Sequence, residues 1–284
     1  MDRRIFIGAV LGGIVSTLIV TNTDSNAVRM PTVFLGHGSP MNAIEQNSFT
    51  DFLNNFPKDL PKPVAILVIS AHWETKGSKV LKIENPKTIH DFGGFPAPLF
   101  QVQYPAPGSF KVADRVMELA KLHPVEADSS WGLDHGTWSV LKHMYPKADI
   151  PVLQLSLNQN MTFEDHLSLA CELKPLRDEG VLILGSGNIT HNLRRVVWEE
   201  NAKPVDWAVE FDLLIKNALL KRDTNVLLGK GPENKALWNM AHPSLEHYLP
   251  LLYTYGASDE KEKIVFPFEG LQMGSLSMRS LIIG

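Results

Sequence analysis

Three histidines follow apolar, β-branched runs that are typical of strands. His37 comes directly after TVFLG, His72 after AILVISA, and His191 after VLILGSGNIT. Ligands of open α/β sheets bind outside the carboxyl ends of the strands, so we expect these side chains to meet in one crevice. Clustered imidazoles repel one another when protonated, whereas neutral imidazoles around a divalent metal are stable. The pattern therefore indicates a metal site, although a structural role is the ordinary alternative for any one of them.

Two further segments contain histidines that could reach this crevice. The segment DHGT is typical of a helix start, with Asp134 or Thr137 as the cap. The helix dipole would keep His135 neutral, and its ring could donate a hydrogen bond to a substrate oxygen. In the segment AHPSLEHYLPLLY, His242 and His247 are five residues apart, a poor match to one helix face. We therefore expect at most one of these two to point into the crevice.

Other kinds of chemistry find little support. The single cysteine, Cys171, allows neither an intrachain disulfide nor a Cys-x-x-Cys site, and we interpret it as a small buried residue. GSGNIT lacks the third glycine of a dinucleotide-binding fingerprint, and the chain has neither a P-loop nor a Gly-x-Ser-x-Gly elbow. A net charge of −4 gives no basic excess that would favour nucleic acid as a partner. The remaining histidines are expected to be structural or surface residues: His90, His123, His143 and His166.

The elements that position these residues alternate along the chain from Met30 onward. Continuous apolar strands separated by helices indicate a sheet covered on both faces. We predict a single α/β domain with three layers, α/β/α, and a mostly parallel or mixed central sheet. The predicted strands are 32–35, 64–70, 152–157, 181–184, 264–268 and 277–283. The predicted helices are 48–56, 109–122, 137–145, 163–179 and 205–221.

The segment 85–108 is rich in Pro and Gly and has little periodicity. Long irregular loops in compact domains are often functional. We expect Phe92, Phe95 and Phe100 either to form an apolar wall of the crevice or to anchor the loop to the domain.

The first 27 residues differ in kind from the rest. Arg3 and Arg4 precede an apolar stretch at 5–20, and Ser25-Asn26-Ala27 offers a small-x-small cleavage site. This is the layout of a signal peptide of the twin-arginine type, with cleavage after Ala27. It predicts a periplasmic or exported protein, with a catalytic domain over 28–284 and no stable membrane partner after cleavage. The alternatives are an N-terminal anchor, or a cytoplasmic protein whose true start is near Met30.

Nine sequence blocks carry a resemblance to a known family over nearly the whole chain from Met30. In order, they are FLGHGSPMN, VISAHW, TIHDFGGFP, YPAPG, WGLDHGTWSVL, ADIPVLQLSL, SGNITHNLR, EHYLPLLY and EGLQMGSLSM. Together they resemble the class III extradiol ring-cleavage dioxygenases, and most closely the bacterial 4,5-DOPA dioxygenase extradiol-like branch.

The resemblance implies roles for particular positions. It makes His37, His72 and His247 metal ligands, and His191 the acid/base residue and a possible fourth ligand. It also makes His135 a histidine on the substrate side. The wider class often uses a glutamate as the third ligand, so Glu246 and Glu269 remain alternatives to His247.

The resemblance also implies an activity. The enzyme would open the ring of a catechol-type, DOPA-like diol with O₂ beside its hydroxyl groups. Ring cleavage by O₂ requires redox chemistry, so we expect Fe(II) in the active enzyme, although Zn(II) could occupy the same site. The alternative is a zinc-dependent hydrolase or another non-oxidative metalloenzyme on the same scaffold. The sequence leaves the particular catechol and the oligomeric state open.

Overall fold

The fold is organised around an eight-stranded mixed sheet. The computed structural model describes residues 28–199, 202–231 and 234–284. Within these ranges the sheet order is β4-β3-β5-β2-β6-β1-β10-β7, and β8 and β9 form a separate two-stranded sheet. The strands are β1 (Thr32–Gly36), β2 (Ala65–Thr75), β3 (Ser78–Leu81), β4 (Val125–Asp128), β5 (Val152–Asn158), β6 (Val181–Gly187), β7 (Ile264–Phe268), β8 (Leu271–Gln272), β9 (Leu276–Ser277) and β10 (Ser280–Ile283).

The centre of the sheet is parallel and its flanks are mixed. Strands β5, β2, β6 and β1 pair in parallel, so their carboxyl ends lie along one edge. Strand β10 pairs antiparallel with β1 and with β7, and β3 pairs antiparallel with β5. The predicted mixed sheet is confirmed, and the common edge of the parallel strands is where the histidines were expected.

Helices cover both faces of the sheet. Alternate residues of β2 enter two separate cores: Leu67 and Ile69 pack with α2, α4, α5 and α8, whereas Ile66 and Val68 pack with α1 and α3. The predicted three-layer arrangement is therefore confirmed. The helices are α1 (Ser48–Asn55), α2 (Phe110–Leu119), α3 (His135–Met144), α4 (Phe163–Glu172), α5 (Asp206–Lys221), α6 (Thr224–Leu227), α7 (Lys235–Ala241) and α8 (Leu249–Gly256).

Several predicted boundaries were wrong. The helix predicted over 163–179 ends at Glu172, and a 3₁₀ turn containing Pro175 follows, because proline cannot continue the backbone hydrogen bonding of an α-helix. The last predicted strand is divided between β9 and β10. Cys171, expected to be buried, is exposed. It lies near the end of α4, on the side that faces solvent.

The N-terminal prediction falls outside the described residues. Residues 1–27, predicted to form a signal peptide or anchor, are not among the ranges given above. Within those ranges, every helix is too short or too polar to span a bilayer.

A buried ion pair joins Arg279, directly before β10, to Asp212 in α5. The Arg279 guanidinium donates from Nε to both carboxylate oxygens of Asp212 at 3.0 Å, and these side chains are only 3% and 9% exposed. Glu269 accepts from the same guanidinium and from Lys216. The pair matters for the site because it fixes Glu269 in a structural role.

Removing Arg279 should destabilise the fold. Arg279→Met would leave the Asp212 carboxylate buried without its cation, and loss of one partner of a buried pair typically costs about 3–5 kcal/mol. Urea unfolding should show this decrease in the free energy of unfolding. Lys62→Met is the matched control, since the Lys62–Asp149 pair is exposed and worth at most about 1 kcal/mol. Equal unfolding midpoints for the two variants would contradict the prediction.

Candidate metal centre

The carboxyl edge of the parallel strands carries the site histidines. His37 directly follows β1, and its backbone N–H donates to the Gly187 carbonyl at the end of β6. His72 lies within β2, where the pairing with β5 is irregular. His191 lies four residues beyond β6. The crevice expected from the sequence therefore exists, with His72 inside a strand and not after one.

The segment before α8 adds another histidine to this edge. The His247 carbonyl accepts from the Asn188 backbone N–H at 2.9 Å. A Cβ on Gly187 would lie only 2.1 Å from that carbonyl oxygen, so glycine is required for the close approach. His242, by contrast, packs among Phe211, Trp238 and Tyr248. Of the two histidines in this segment only His247 reaches the site, in agreement with the sequence analysis.

Three imidazoles face a common point. One ring nitrogen from each of His37, His72 and His247 lies within 4.8 Å of the others. The ring centroids are 5.0 Å apart for His37 and His72, 5.3 Å for His37 and His247, and 5.0 Å for His72 and His247. The three rings come from β1, β2 and the segment before α8, so the tertiary fold assembles them.

A hydrogen-bond chain fixes the tautomer of His37. The Ser186 hydroxyl donates to the Gly136 carbonyl, so it can only accept from Nδ1 of His37, which lies 3.0 Å away. The proton of the neutral ring is therefore on Nδ1, and Nε2 presents a lone pair. Such a partner on the outer nitrogen is the usual support of a metal-binding histidine.

Asp91 faces two of the site histidines. Its carboxylate accepts from the backbone N–H and from Nδ1 of His135, at 2.9 and 2.8 Å. The same carboxylate lies 3.5 Å from Nδ1 of His72 and favours a proton on that nitrogen. Nδ1 of His135 faces Asp91, so Nε2 is the ring nitrogen left for a substrate oxygen.

The facing nitrogens of His37 and His72 fit a bound cation. Their Nε2 atoms lie 3.1 Å apart. With the protons of both rings on Nδ1, two lone pairs point at each other, and a cation satisfies both where a hydrogen bond between them cannot. The donor set of neutral imidazoles suits Zn(II) or Fe(II) and is poorly suited to Mg(II) or Ca(II).

Neither of the two glutamates considered as third ligands groups with His37 and His72. The Glu246 carboxylate accepts from Nδ1 of His247 at 3.1 Å and so supports the ring from behind. Glu269 pairs with Arg279 and Lys216, as described above. His191 stacks on His247, with the ring centroids 3.4 Å apart and the planes 4° from parallel. His191 groups with Glu246 and His247, and not with His37 and His72.

Four imidazoles of the site are neutral near pH 7: those of His37, His72, His191 and His247. Burial, followed by repulsion from neighbouring histidines, lowers the pKa of His37 and of His247 well below 6.5. Burial has the same effect on the pKa of His72, with His135 as the next cause. Burial, followed by the proximity of His135, lowers the pKa of His191 to about 4. Neutral rings are the form that binds a metal or accepts a proton.

Helix α3 is held so that its first residue reaches the site. Asp134 caps the helix, confirming one of the two predicted caps, and also accepts from Ser70 and from Gln154. A Cβ on Gly136 would lie 2.5 Å from the Ser70 Oγ and 2.9 Å from the His72 ring. Glycine at this position therefore allows α3 to pack directly against the metal-facing part of β2.

The histidines open into a cavity of about 340 Å³ with mainly apolar walls. Phe92 and Phe95 line it, as one of the two expectations for the long loop predicted. Phe100 contacts Phe92 from outside the lining. The lining residues are His37, Gly38, Ser39, Pro40, His72, Phe92, Phe95, His135, His191, Leu193, Trp198, Glu246, His247, Met273 and Leu276. A flat aromatic molecule fits such walls.

Asp91 and Trp198 contribute to the site and were not predicted from the sequence. Asp91 was not identified, because an acid in an irregular loop has no periodic or spacing signal. Trp198, which lines the cavity, was also not identified. The histidines predicted to be structural lie outside the cavity lining. Nε2 of His90 donates to the Val102 carbonyl, Nε2 of His143 donates to the Asn42 carbonyl, and Nδ1 of His166 forms a hydrogen bond with the Tyr253 hydroxyl.

The metal-free protein should lose stability in mild acid. His166 lies outside the site, and burial lowers its pKa from 6.5 to about 4. The unfolded chain takes up protons near pH 6.5 while the folded ring stays neutral, so stability is lost as the pH falls from about 6.5 toward about 4. Urea midpoints measured in this window should decrease, and His166→Gln should make the decrease shallower. A pH-independent midpoint would contradict the prediction.

The sequence of this α/β protein matches a known protein family. The family described as "Catalytic LigB subunit of aromatic ring-opening dioxygenase" matches residues 29–274. A 4,5-DOPA dioxygenase extradiol from Escherichia coli is 45% identical over 94% of this chain and 100% of its own length. One from Beta vulgaris is 41% identical over 82% of this chain and 88% of its own length.

A solved structure is similar as well. The crystal structure of an uncharacterized protein from Escherichia coli superposes with a TM-score of 0.79 at 42% identity, covering 90% of this chain and all of the other. The chain belongs to the LigB family of aromatic ring-opening dioxygenases. The prediction of an extradiol dioxygenase, an aromatic ring-opening enzyme, is therefore confirmed.

Proposed function

We propose that this enzyme binds a catechol-type, DOPA-like diol in the cavity and opens its ring with O₂ beside the hydroxyl groups, on one metal ion held by His37, His72 and His247. The observation that carries the proposal is the convergence of three neutral imidazoles, from three elements, in the lining of an apolar cavity. The names of the relatives from Escherichia coli and Beta vulgaris support a DOPA-like substrate.

Fe(II) is the metal we propose for the active enzyme. Bound there, it would supply the redox chemistry that O₂ activation needs and would lower the pKa of the catechol hydroxyls. Zn(II) would fit the same three nitrogens without redox chemistry. Ser186 and Glu246 hold the outer nitrogens of His37 and His247, and Asp91 faces that of His72. These contacts keep the three Nε2 atoms available to the ion.

His191 is the proposed acid/base residue. It lines the cavity beside His247, and in the described part of the chain neither of its ring nitrogens has a hydrogen-bond partner. Burial lowers its pKa to about 4, so the ring is neutral near pH 7 and has a lone pair for a proton of the diol, which it would later return to the opening ring. His135 also lines the cavity, and its Nε2, oriented by Asp91, is proposed to accept a hydrogen bond from the diol.

The test is reconstitution without oxygen. Protein loaded with Fe(II) under anaerobic conditions and mixed with a catechol should, on admission of air, form a yellow muconic semialdehyde that absorbance follows. Protein loaded with Zn(II) should bind the diol without turning it over. A zinc-dependent hydrolase on the same scaffold predicts the reverse: no ring-opened product with Fe(II), and hydrolysis of an ester or amide with Zn(II). That result would reject the proposal.

We also propose that residues 1–27 are an export signal of the twin-arginine type and that 28–284 form the catalytic domain. The arginine pair, the apolar stretch and the small residues near Ala27 support this. Cell fractionation followed by N-terminal sequencing tests it. A mature N-terminus at Val28 in the periplasm is expected, whereas a cytoplasmic protein beginning near Met30 would contradict it.

A further inference from the structure

The cavity has an uneven distribution of charge. Of the described residues that line it, none is a lysine or an arginine, and Glu246 is the lone carboxylate. The Glu246 side chain is 19% exposed, and it accepts from Ser244 Oγ at 2.9 Å and from Nδ1 of His247 at 3.1 Å. Its charge is therefore fixed in position at the cavity wall, where screening by water is reduced.

Two further carboxylates lie close to this wall. Glu74, near the end of β2, is near enough to Glu246 for their charges to interact. The Asp91 carboxylate, which is outside the lining, is bound to His135, which lines the cavity. The cations that pair with buried acids elsewhere, such as Arg279 and Arg177, are outside the lining. Among the lining residues that the structure describes, a substrate group away from the metal therefore meets mainly apolar side chains and the Glu246 carboxylate.

We infer that the cavity selects catechols whose ring substituent is neutral or cationic over catechols whose substituent is a carboxylate. The inference rests on the proposed function and narrows its substrate class. A carboxylate in the cavity would lose its water without gaining a cationic partner and would be repelled by Glu246. An ammonium group could instead donate a charge-assisted hydrogen bond to Glu246. DOPA carries both charges and should rank between the two.

The test compares three catechols whose ring substituents differ in charge: dopamine, 4-methylcatechol and 3,4-dihydroxyphenylacetate. Their dissociation constants are measured anaerobically on the Fe(II)-loaded full chain by quenching of tryptophan fluorescence, since Trp198 lines the cavity. We expect dopamine to bind at least about tenfold more tightly than the acid, with 4-methylcatechol between them. Equal or tighter binding of the acid would overturn the inference.

Turnover in air is measured separately on the same samples. Binding in the expected order without ring opening would reject the proposed function and leave the selectivity intact. Ring opening combined with equal binding of the amine and the acid would support the proposed function and reject the selectivity. The two failures are therefore distinguishable.

Glu246→Gln tests whether this residue is the source of the selectivity. The amide oxygen can still accept from His247, while the charge is removed. The ratio of the dopamine and acid dissociation constants, taken within one preparation, does not depend on how much metal is loaded. The ratio should fall by at least about threefold, as a partly screened like-charge contact is removed. Glu260→Gln, an exposed residue outside the lining, is the matched control and should leave the ratio unchanged.

Glu74→Gln provides a second test if Glu246→Gln does not fold. Glu74→Gln removes the neighbouring negative charge and should lower the same ratio by a smaller factor. A ratio that stays at the wild-type value in every folded variant of these two glutamates would show that the carboxylates do not set the selectivity.

Discussion

His37→Ala should yield a folded protein that no longer holds its metal ion. His37 has the best-defined ligand geometry of the site. The hydrogen bonds that link its Nδ1 to the Ser186 hydroxyl, and that hydroxyl to the Gly136 carbonyl, fix the ring proton on Nδ1 and leave Nε2 free. Loss of an outer-sphere partner alone typically costs about 10- to 100-fold in metal affinity, so loss of the ligand itself should cost at least about 100-fold. Metal analysis after anaerobic loading and desalting measures this directly.

A matched control separates loss of a ligand from loss of any histidine. His123→Ala removes a histidine outside the cavity lining and should retain wild-type metal content and turnover. The far-UV circular dichroism of both variants should match that of the wild type. If His37→Ala kept its metal, the ion would be held elsewhere, and the proposed site would be wrong.

Much of the layout was predictable because it depends on the burial of whole strands. Strands of a parallel sheet are covered on both faces, so β1, β2 and β6 are recognisable as continuous apolar runs. Their carboxyl ends must share an edge, which brings His37 and His191 together without knowledge of any contact. The position of His72 was less predictable. The apolar run of β2 ends before His72, but the strand itself continues to Thr75, because its pairing with β5 resumes after an irregular stretch.

Asp91 could not be predicted, because its role arises from folding over a long distance. It lies in an irregular segment that is tied to the residues before α3 by a bridge between Thr88 and Leu133 and by the Ile89 N–H to the Leu133 carbonyl. This attachment brings the Asp91 carboxylate against His135, a neighbour 44 positions along the chain. Nothing in the local sequence distinguishes such an acid from a solvated one.

The third ligand was ambiguous in the sequence for a related reason. Glu246 and His247 are adjacent, and which of them faces the other histidines depends on the path of the chain before α8. That path is set by the hydrogen bond from Asn188 to the His247 carbonyl and by the space at Gly187. Glu269 is excluded as a ligand because it pairs with Arg279. Arg279 directly precedes β10, which lies two strands away from β6 in the sheet.

His191→Ala should keep the metal and lose most of the turnover. His191 is stacked on His247 but does not join the group of His37, His72 and His247. Its removal should therefore leave three nitrogens on the ion and remove the group that moves the phenolic proton. General acid–base catalysis typically contributes about 10² to 10⁴ in rate, so kcat should fall by a factor in that range. Metal analysis and initial rates, measured on the same anaerobically loaded sample, test both parts.

The comparison with His37→Ala makes the result decisive. A proton-transfer residue and a ligand differ in what the alanine variant retains: the first leaves metal content and anaerobic catechol binding near the wild-type values, and the second loses both. If His191→Ala lost its metal as completely as His37→Ala, His191 would be a ligand first and a base second. The stacked position against His247 would then be the geometry of a fourth donor, and another group in the cavity, with His135 the nearest candidate, would have to accept the proton of the diol.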